Sequence, residues 1–457
     1  MEIFEKQQAA FAASIAPTFA RRMADLGKLY TAIKAHENVI AEAISADFGH
    51  RSAFETKMAE TSFILIDIKH TRKHLKAWMR RKRRKVALHF RPAANYVEYM
   101  PKGVVGILSP WNYPFQLAMA PLIAAIAAGN RVMLKPSEYT PQCNAVIKKI
   151  LAGVFDEEQV AVVEGDVKIA TEFSGLAFDH LFFTGSGRVG KYVLQAAAKN
   201  LTPVTLELGG QSPAIVGENY NIRHAAKRIM VGKLLNAGQT CIAPDHVLVP
   251  QNKVSEMVQA LLKEGRKLYP SIMNNDVYSA IINETQLERL RHLRDGAVRD
   301  GAKAYNLYKG DDENRKMMPV ILDHVTPIMG VMREEIFGPI LPVVGYENLD
   351  QLIEFVKGDD KPLAAYYFSH DRTELDRLSR EILCGNVTIN DTLFHVAQAN
   401  LPFGGIGASG MGTYHGYDGF KTFSHAKGVF RQARLNGAWM LNPPYSKLAG
   451  KIFDWLS

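Results

Sequence analysis

The chain predicts an α/β protein with parallel sheets in two domains, and three observations carry that prediction. Its 457 residues exceed what one hydrophobic core usually serves, so two or three domains are expected. From residue 103 onward, short apolar runs close in Gly, Pro or polar turn residues, and a helical segment follows each one, the pattern of βαβ units. A second alternation of the same kind begins near residue 212.

Residues 1 to 80, rich in Ala, Lys, Glu and Leu with few Gly or Pro, predict several amphipathic helices. In VALHFRPAANYVEYMPKG, residues 86 to 103, two β-rich halves flank a turn at Arg91 to Asn95, which predicts a projecting strand pair. GVVGILSPWNYP, RVMLKPSEYTP, VAVVEGD and HLFFTGSG then read as strands of a first parallel sheet. Between them LAMAPLIAAIAAG, 117 to 129, is too short to span a bilayer and predicts a core helix. SPAIVG, DHVLVP, PILPVVGY, PLAAYYFS and GNVTIND supply the second sheet. The glycine-dense stretch from 398 to 424, punctuated by aromatics, predicts a long ordered loop. The tail from 433, with Trp439, Tyr445, Phe453 and Trp455, is expected to pack on a surface, with a membrane surface as the alternative.

Composition narrows the function classes. A hydrophobic fraction of 47% and a charged fraction of 22% are those of a globular chain and exclude global disorder. The three cysteines, Cys143, Cys241 and Cys384, show neither C-x-x-C nor Cys/His ligand spacing, so neither a disulfide framework nor a metal site is expected. A reducing, cytoplasmic compartment fits, and the opening MEIFEKQQAAFAASIAPTF does not read as a secretory signal. The net charge of +9 owes much to six consecutive basic residues, Arg80 to Lys85. They read as a solvated helix end whose stems cover Trp78 and Met79. No stacking aromatics accompany them, so no nucleic acid is expected, and peripheral membrane contact is the alternative reading.

Two segments carry chemistry. In NAGQTCIAPD, 236 to 245, Cys241 reads either as a buried packing residue or as a nucleophile. In HLFFTGSGRVGKYVLQAAAK, Gly185, Gly187 and Gly190 follow a strand and open a helix. That is the context in which a pyrophosphate meets helical N–H groups, although a plain strand-to-helix turn has the same form. Glu207 lies near the distance at which a ribose-binding acid would be sought.

Seven segments in series decide between these readings. PWNYP, KPSE, FTGS, LELGG, GQTC, EEIFGP and LPFGG, spread from 110 to 405, together resemble the aldehyde dehydrogenase superfamily. GQTCIAPD, SGMGTYHG and FSHAKG resemble its class 3 branch, and LNGAWMLNPPY is similar to bacterial coniferyl-aldehyde-dehydrogenase-like members.

The resemblance implies an aldehyde dehydrogenase-like fold with a Rossmann-type cofactor domain (1–85 and 103–207) and a second α/β catalytic domain (208–397). A bridging, oligomerising element (86–102 and 423–432), a Gly-rich loop (398–422) and a tail (433–457) complete it, with a homodimer as the assembly. It makes Cys241 the nucleophile, Glu207 the general base and Asn112 the oxyanion donor. Lys135 and Glu138 would hold the adenosine ribose of NAD or NADP, and Gly185, Ser186 and Gly190 would meet the cofactor. Glu335 would bind the nicotinamide ribose, with Phe337 beside the ring. Trp111 and Tyr113 would sit near the mouth, where aromatic or medium-chain aldehydes fit, and His415 would either line the mouth or bond the Gly-rich loop. The one departure noted is Gln211 in LELGGQSP, where many members carry Lys. The implied reaction is oxidation of an aldehyde to a carboxylate. An acylating reaction with coenzyme A, a cofactor-free cysteine hydrolase and a basic binding protein with a dead core are the rival readings.

Overall fold

The computed structural model describes residues 2–358 and 360–444, together with residues 447, 450, 451 and 454. Four long helices, Glu2–Ala13, Phe19–Ala35, Glu37–Phe48 and Ser62–Trp78, account for most of the first 80 residues. Their apolar stripes turn inward: Leu26, Leu29 and Ile33 of the second helix and Ile64, Ile68 and Leu75 of the fourth are buried. Thr18 starts the second helix, its hydroxyl accepting from the Arg21 N–H.

Among the described residues three sheets form. The first runs in the order Gly410–Met411, Val204–Glu207, His180–Thr184, Val104–Leu108, Arg131–Lys135, Val160–Val162, and all its pairs but the outermost 410–411 pair are parallel. Helices cover both faces, which is why strands such as HLFFT read as continuous rather than alternating apolar runs. The chain enters at the central strand 104–108, moves out through 131–135 and 160–162, then crosses back to 180–184. Between 104–108 and 180–184 the direction of winding therefore reverses, and the carboxyl ends of these two strands open the crevice where such sheets take ligands.

The second sheet has the order Lys303–Asn306, Val320–Asp323, Ile340–Tyr346, His246–Pro250, Pro213–Val216, Ala364–Phe368, Asn386–Ile389, with only 303–306 antiparallel. The helix Gln116–Ala128 is buried at every residue, as the apolar run that follows Gln116 predicts, and packs against Ser62–Trp78 and strand Arg131–Lys135. No helix among the described residues is long and apolar enough to cross a membrane.

Three sequence readings need correction. The projecting strand pair is displaced: Leu88–Phe90 is a single turn of 3₁₀ helix, and strand Ala94–Pro101 pairs instead with Lys82–Arg84 on one edge and Ser424–Arg431 on the other. Leu88 and Phe90 are exposed, so their apolar character marked no buried strand face. The basic run is correspondingly not a helix end. Arg81 ion-pairs with Glu98 at 2.7 Å and its guanidinium lies 4.9 Å from the Tyr96 ring centre, while Lys82 donates to the Ala77 carbonyl. The stretch 398 to 424 is only partly loop, since Gly410–Met411 pairs with Leu206–Glu207 and Gly416–Thr422 is helical. In the tail, Trp439 is exposed, and the expectations placed on Tyr445, Phe453 and Trp455 lie outside the described residues.

Asn130 joins the bridging sheet to the first domain. Its buried side chain accepts from the N–H groups of Lys102 and Gly103 at 2.7 and 3.0 Å, and donates to the carbonyls of Ala125 and Phe423 at 3.1 and 2.8 Å. Asn130→Ala leaves these backbone groups without partners in a dry environment, so we expect a loss of about 2–4 kcal/mol. A lower midpoint in urea denaturation followed by far-UV dichroism is the expected reading, with Asn130→Asp losing less because it keeps both acceptor contacts.

Candidate active site

The segment carrying Cys241 leaves the helix Ile222–Leu234 through three consecutive residues with left-handed backbone: Asn236 (φ 51°), Ala237 (φ 51°) and Gly238 (φ 77°). Gly238 has two reasons to be glycine, since its φ is positive and a β-carbon there would stand 2.4 Å from the Gly338 carbonyl oxygen. Gln239 locks the turn: its amide donates to the carbonyls of Asn236 and Ala280 and accepts from the Ile282 N–H, each at 3.0 Å. The Tyr366 hydroxyl bonds the Ile242 carbonyl on the far side. Cys241 is thereby presented half-buried, its sulfur facing the N–H groups of Cys241 and Ile242. Burial, then the charges of Glu335 and Glu207, push the thiol up to about 12, and the two N–H groups pull the other way.

Glu207 is the last residue of strand Val204–Glu207 and is 2% exposed. Its backbone is fixed by the Gly185 N–H, which donates to its carbonyl at 3.0 Å, and by pairing opposite Gly410. Among the described residues neither carboxyl oxygen has a hydrogen-bond partner, and burial holds the group well above the usual carboxylate range. Both Glu207 and Cys241 act on the buried Tyr414 hydroxyl, raising it further, so the three side chains share one region.

Asn112 lies in the loop after strand Val104–Leu108, 3% exposed. Its side-chain amide donates to the Gln239 carbonyl at 3.1 Å, two residues before Cys241. The three proposed reacting groups thus come from three separated segments and meet where the two α/β units adjoin. Asn112 does not cap the helix that follows: the N–H groups of Phe115 and Gln116 donate to Glu60 at 2.8 and 3.0 Å. Tyr113 is not at the mouth, being 7% exposed with its hydroxyl 2.7 Å from Thr240 Oγ1. Trp111 packs edge-to-face on Phe337, ring centres 5.4 Å apart. His415 is buried and stacked on Phe403, and its Nε2 makes no bond to the Gly-rich loop or to anything else.

The residues expected to hold a dinucleotide line the carboxyl ends of the first sheet and the facing loop. Lys135 ends its strand buried, with Nζ 3.4 Å from Glu138 Oε2, and Glu138 reaches solvent. Ser186 caps the helix Gly187–Ala198, its hydroxyl accepting from the Val189 N–H. At Gly187 nothing stands within 4 Å of where a β-carbon would be, and Gly190 packs against Leu208, so the helix start is open. An open helix N-terminus favours an anion. Glu335 lies so close to Gly209 that a β-carbon there would meet its carboxylate at 1.9 Å. Burial, then Asp245, pushes Glu335 up to about 8, against the N–H of Gly210 and the charges of Arg289 and Lys233. A buried ribose-sized hydroxyl acceptor beside a glycine pair, an exposed acid beside a buried lysine and an open helix end fit a dinucleotide. Gln211 takes no part in this cradle, its amide donating to the Glu334 carbonyl at 3.3 Å.

Sequence reasoning missed the supports. Arg51, Glu55 and Glu60 sit in RSAFETKMAE, where charges at helical spacing read as a solvated face, yet all three are buried. Glu55 accepts from the Asn236 N–H at 3.3 Å and from the Ser279 hydroxyl at 2.9 Å. Lys233, buried and drawn down to about 8 by burial, lies among Asp245 and Glu335. Only their position between two site loops distinguishes these residues, and no local pattern reports it.

Comparison with known proteins follows the same lines. A sequence profile described as "Aldehyde dehydrogenase family" matches residues 2–429. The chain is 48% identical over 450 residues, 98% of this chain and 94% of the relative, to a Pseudomonas aeruginosa protein named "Probable coniferyl aldehyde dehydrogenase". It is 38% identical over 434 residues, 94% of this chain and 89% of the other, to "Aldehyde dehydrogenase family 3 member H1" of Arabidopsis thaliana. The solved structure "Substrate bound state of Staphylococcus Aureus AldH" superposes with a TM-score of 0.94 at 41% identity, covering 100% of this chain and 99% of that one. A second, "Crystal structure of NAD-dependent aldehyde dehydrogenase from Sinorhizobium meliloti", gives 0.84 at 27% identity over 93% and 84%.

The electrostatics make a signed prediction. With Glu335 titrating near 8, its charge opposes the Cys241 thiolate only above that pH. Alkylation of Cys241 by iodoacetamide in the cofactor-free protein, followed by peptide mass spectrometry, should match between wild type and Glu335→Gln below pH 7. At pH 9 to 10 the variant should react faster.

Proposed function

The chain belongs to the aldehyde dehydrogenase family, and from that premise we propose how its residues divide the work. The protein is an NAD(P)-dependent oxidoreductase that converts an aldehyde to a carboxylate. In our reading Cys241 attacks the aldehyde carbon as its thiolate, forming a thiohemiacetal. The Asn112 amide and the Cys241 N–H receive the oxyanion, and their prior fixation is what makes such donors effective. Lys135 and Glu138 hold the adenosine ribose, Gly185, Ser186 and Gly190 meet the pyrophosphate region, and Glu335 and Phe337 hold the nicotinamide end. A nicotinamide bound there would supply the hydride acceptor, the chemistry by which a thiohemiacetal becomes a thioester. Glu207 takes a proton from water as that water attacks the Cys241 thioester, releasing the acid and restoring the thiol.

The observation that carries this reading is the Glu207 carboxyl, buried without a partner and close enough to Cys241 to raise its thiol. An acid kept dry and unpaired is costly unless a water or substrate proton is its partner during reaction. The same carboxyl argues against transfer to coenzyme A, which needs no water-activating base. A cysteine hydrolase would need a histidine on the thiol, and among the described residues none is bonded to Cys241. For the substrate we propose aromatic aldehydes of the coniferyl kind, with medium-chain aliphatic aldehydes next, supported by the name of the 48% identical relative and by the Trp111–Phe337 pair beside the site. Glu138, poised to accept from ribose hydroxyls and to repel a 2′-phosphate, favours NAD over NADP.

The domain division proposed from sequence, cofactor-binding 1–85 and 103–207 and catalytic 208–397, is consistent with the two large sheets. We further propose a cytoplasmic homodimer joined through the three-stranded sheet, whose strand Ser424–Arg431 is mostly exposed along its length. The basic run, tied to Glu98 and Ala77, serves that sheet. Binding to anionic vesicles would instead favour the membrane reading.

Cys241→Ala should abolish aldehyde-dependent growth of the reduced-nicotinamide absorbance. Glu207→Gln should still give a burst of about one equivalent per site, followed by turnover slower by about 10²- to 10⁴-fold. Because Glu207 must be ionised to act and burial raises its titration, wild-type turnover should climb with pH. Steady turnover in Glu207→Gln equal to wild type would overturn the assignment. Coniferyl-type, benzaldehyde-type and aliphatic aldehydes assayed with both cofactors test the substrate reading.

A further inference from the structure

We propose that the buried Arg51–Glu60 ion pair is a positioning device for the oxyanion site, holding the Asn112 loop at the height of the Cys241 sulfur. This rests on the reading of Asn112 as an oxyanion donor and extends it to residues that touch neither substrate nor cofactor. Both side chains are wholly buried, with Arg51 Nη1 2.6 Å from Glu60 Oε1. The same Nη1 donates to the Asn112 carbonyl at 3.2 Å. The other oxygen of Glu60 accepts from the Phe115 and Gln116 N–H groups at the start of the all-buried helix. One carboxylate therefore fixes the helix start, and through Arg51 it fixes the loop three residues earlier.

The Asn112 carbonyl has a second anchor. Asn236 Nδ2 donates to it at 3.0 Å and to the Gln239 carbonyl at 3.1 Å, and the Asn112 amide donates to that same Gln239 carbonyl. Asn236 is itself held through its backbone N–H by Glu55, four residues beyond Arg51. The segment 51–60 thus grips the amide loop through Arg51 and the thiol loop through Glu55. Its last turn, Lys57–Thr61, is π-helical, a rare geometry that is frequent at functional sites.

Energetics favour a positioning role over a stabilising one. Taking a full ion pair out of water costs more than packing apolar groups of the same volume, so such a pair is weak evidence for stability. Here the cost is not even fully offset, because Arg51 Nε and Nη2 have no hydrogen-bond partner among the described residues, the guanidinium carbon lying 4.7 Å from the centre of the Tyr113 ring and 5.2 Å from that of Phe48. What the pair supplies that apolar residues could not is a directed N–H at the Asn112 carbonyl.

A double-mutant cycle tests this. Arg51→Met and Glu60→Gln should each lower kcat for aldehyde oxidation by about 10- to 10²-fold, the penalty of a small misplacement near the chemistry. NAD affinity, read by quenching of tryptophan fluorescence, should stay within twofold, and Arg51→Lys should recover part of the loss. In the Asn112→Ala background, Arg51→Met should cost nothing more. If it costs the same factor there as in wild type, Arg51 does not act through Asn112 and the inference is overturned. If Asn112→Ala alone is as fast as wild type, the oxyanion reading itself falls and takes this inference with it. Should Arg51→Met fail to fold, Glu60→Gln, which keeps the shape and removes the charge, runs the same cycle.

Discussion

A carboxyl group closed off from water with neither oxygen paired is the constraint around which this protein is organised. Glu207 could relieve its desolvation by turning outward or by finding a cation, and the surrounding structure prevents both. Its strand is clamped between His180–Thr184 and the two-residue strand Gly410–Met411, so the side chain has no backbone freedom with which to escape. The glycines of the segment beside it answer to backbone approach, since a β-carbon at Gly410 would stand 2.2 Å from the Leu206 carbonyl oxygen and one at Gly405 2.0 Å from that of Ser409. The thiol faces a related conflict, raised by burial and by two acids, with two backbone N–H groups as the counterweight.

Holding such a site requires rigidity from behind. Some of the buried polar groups behind it are heavily engaged, such as Gln239 with its three bonds and Asn130 with its four. Each joins segments distant in sequence, and none has slack to let a loop drift. The side proposed to hold the cofactor is built differently, with an open helix start and an acid near the surface, as would suit a ligand that enters and leaves.

Much of this was legible in the sequence, and what was not has a common cause. Helices before residue 80 and most strands of both sheets announced themselves because periodicity and turn residues are local signals, whereas Lys303–Asn306, Val320–Asp323 and the two-residue Gly410–Met411 went unread as strands. Cys241, Glu207, Asn112 and Glu335 could be singled out because seven short motifs stand in order. Of the three bridging strands one was misplaced, because Leu88 and Phe90 look like a strand face while Lys82–Arg84 looks like a charged helix end, and only the pairing of Lys82–Arg84 with Asn95–Val97 decides between them. Arg51, Glu55 and Glu60 were hidden for a deeper reason. Their charge predicts solvent, and their burial depends on partners 55 to 224 residues away.

The contact between Gly238 and the Gly338 carbonyl carries an implication for how this scaffold varies. Two turns, one bearing the sulfur and the other bearing Phe337, touch backbone to backbone with no side chain as a cushion. Shape information passes between them without a lever arm, so lineages that remodel either turn are obliged to remodel both in step.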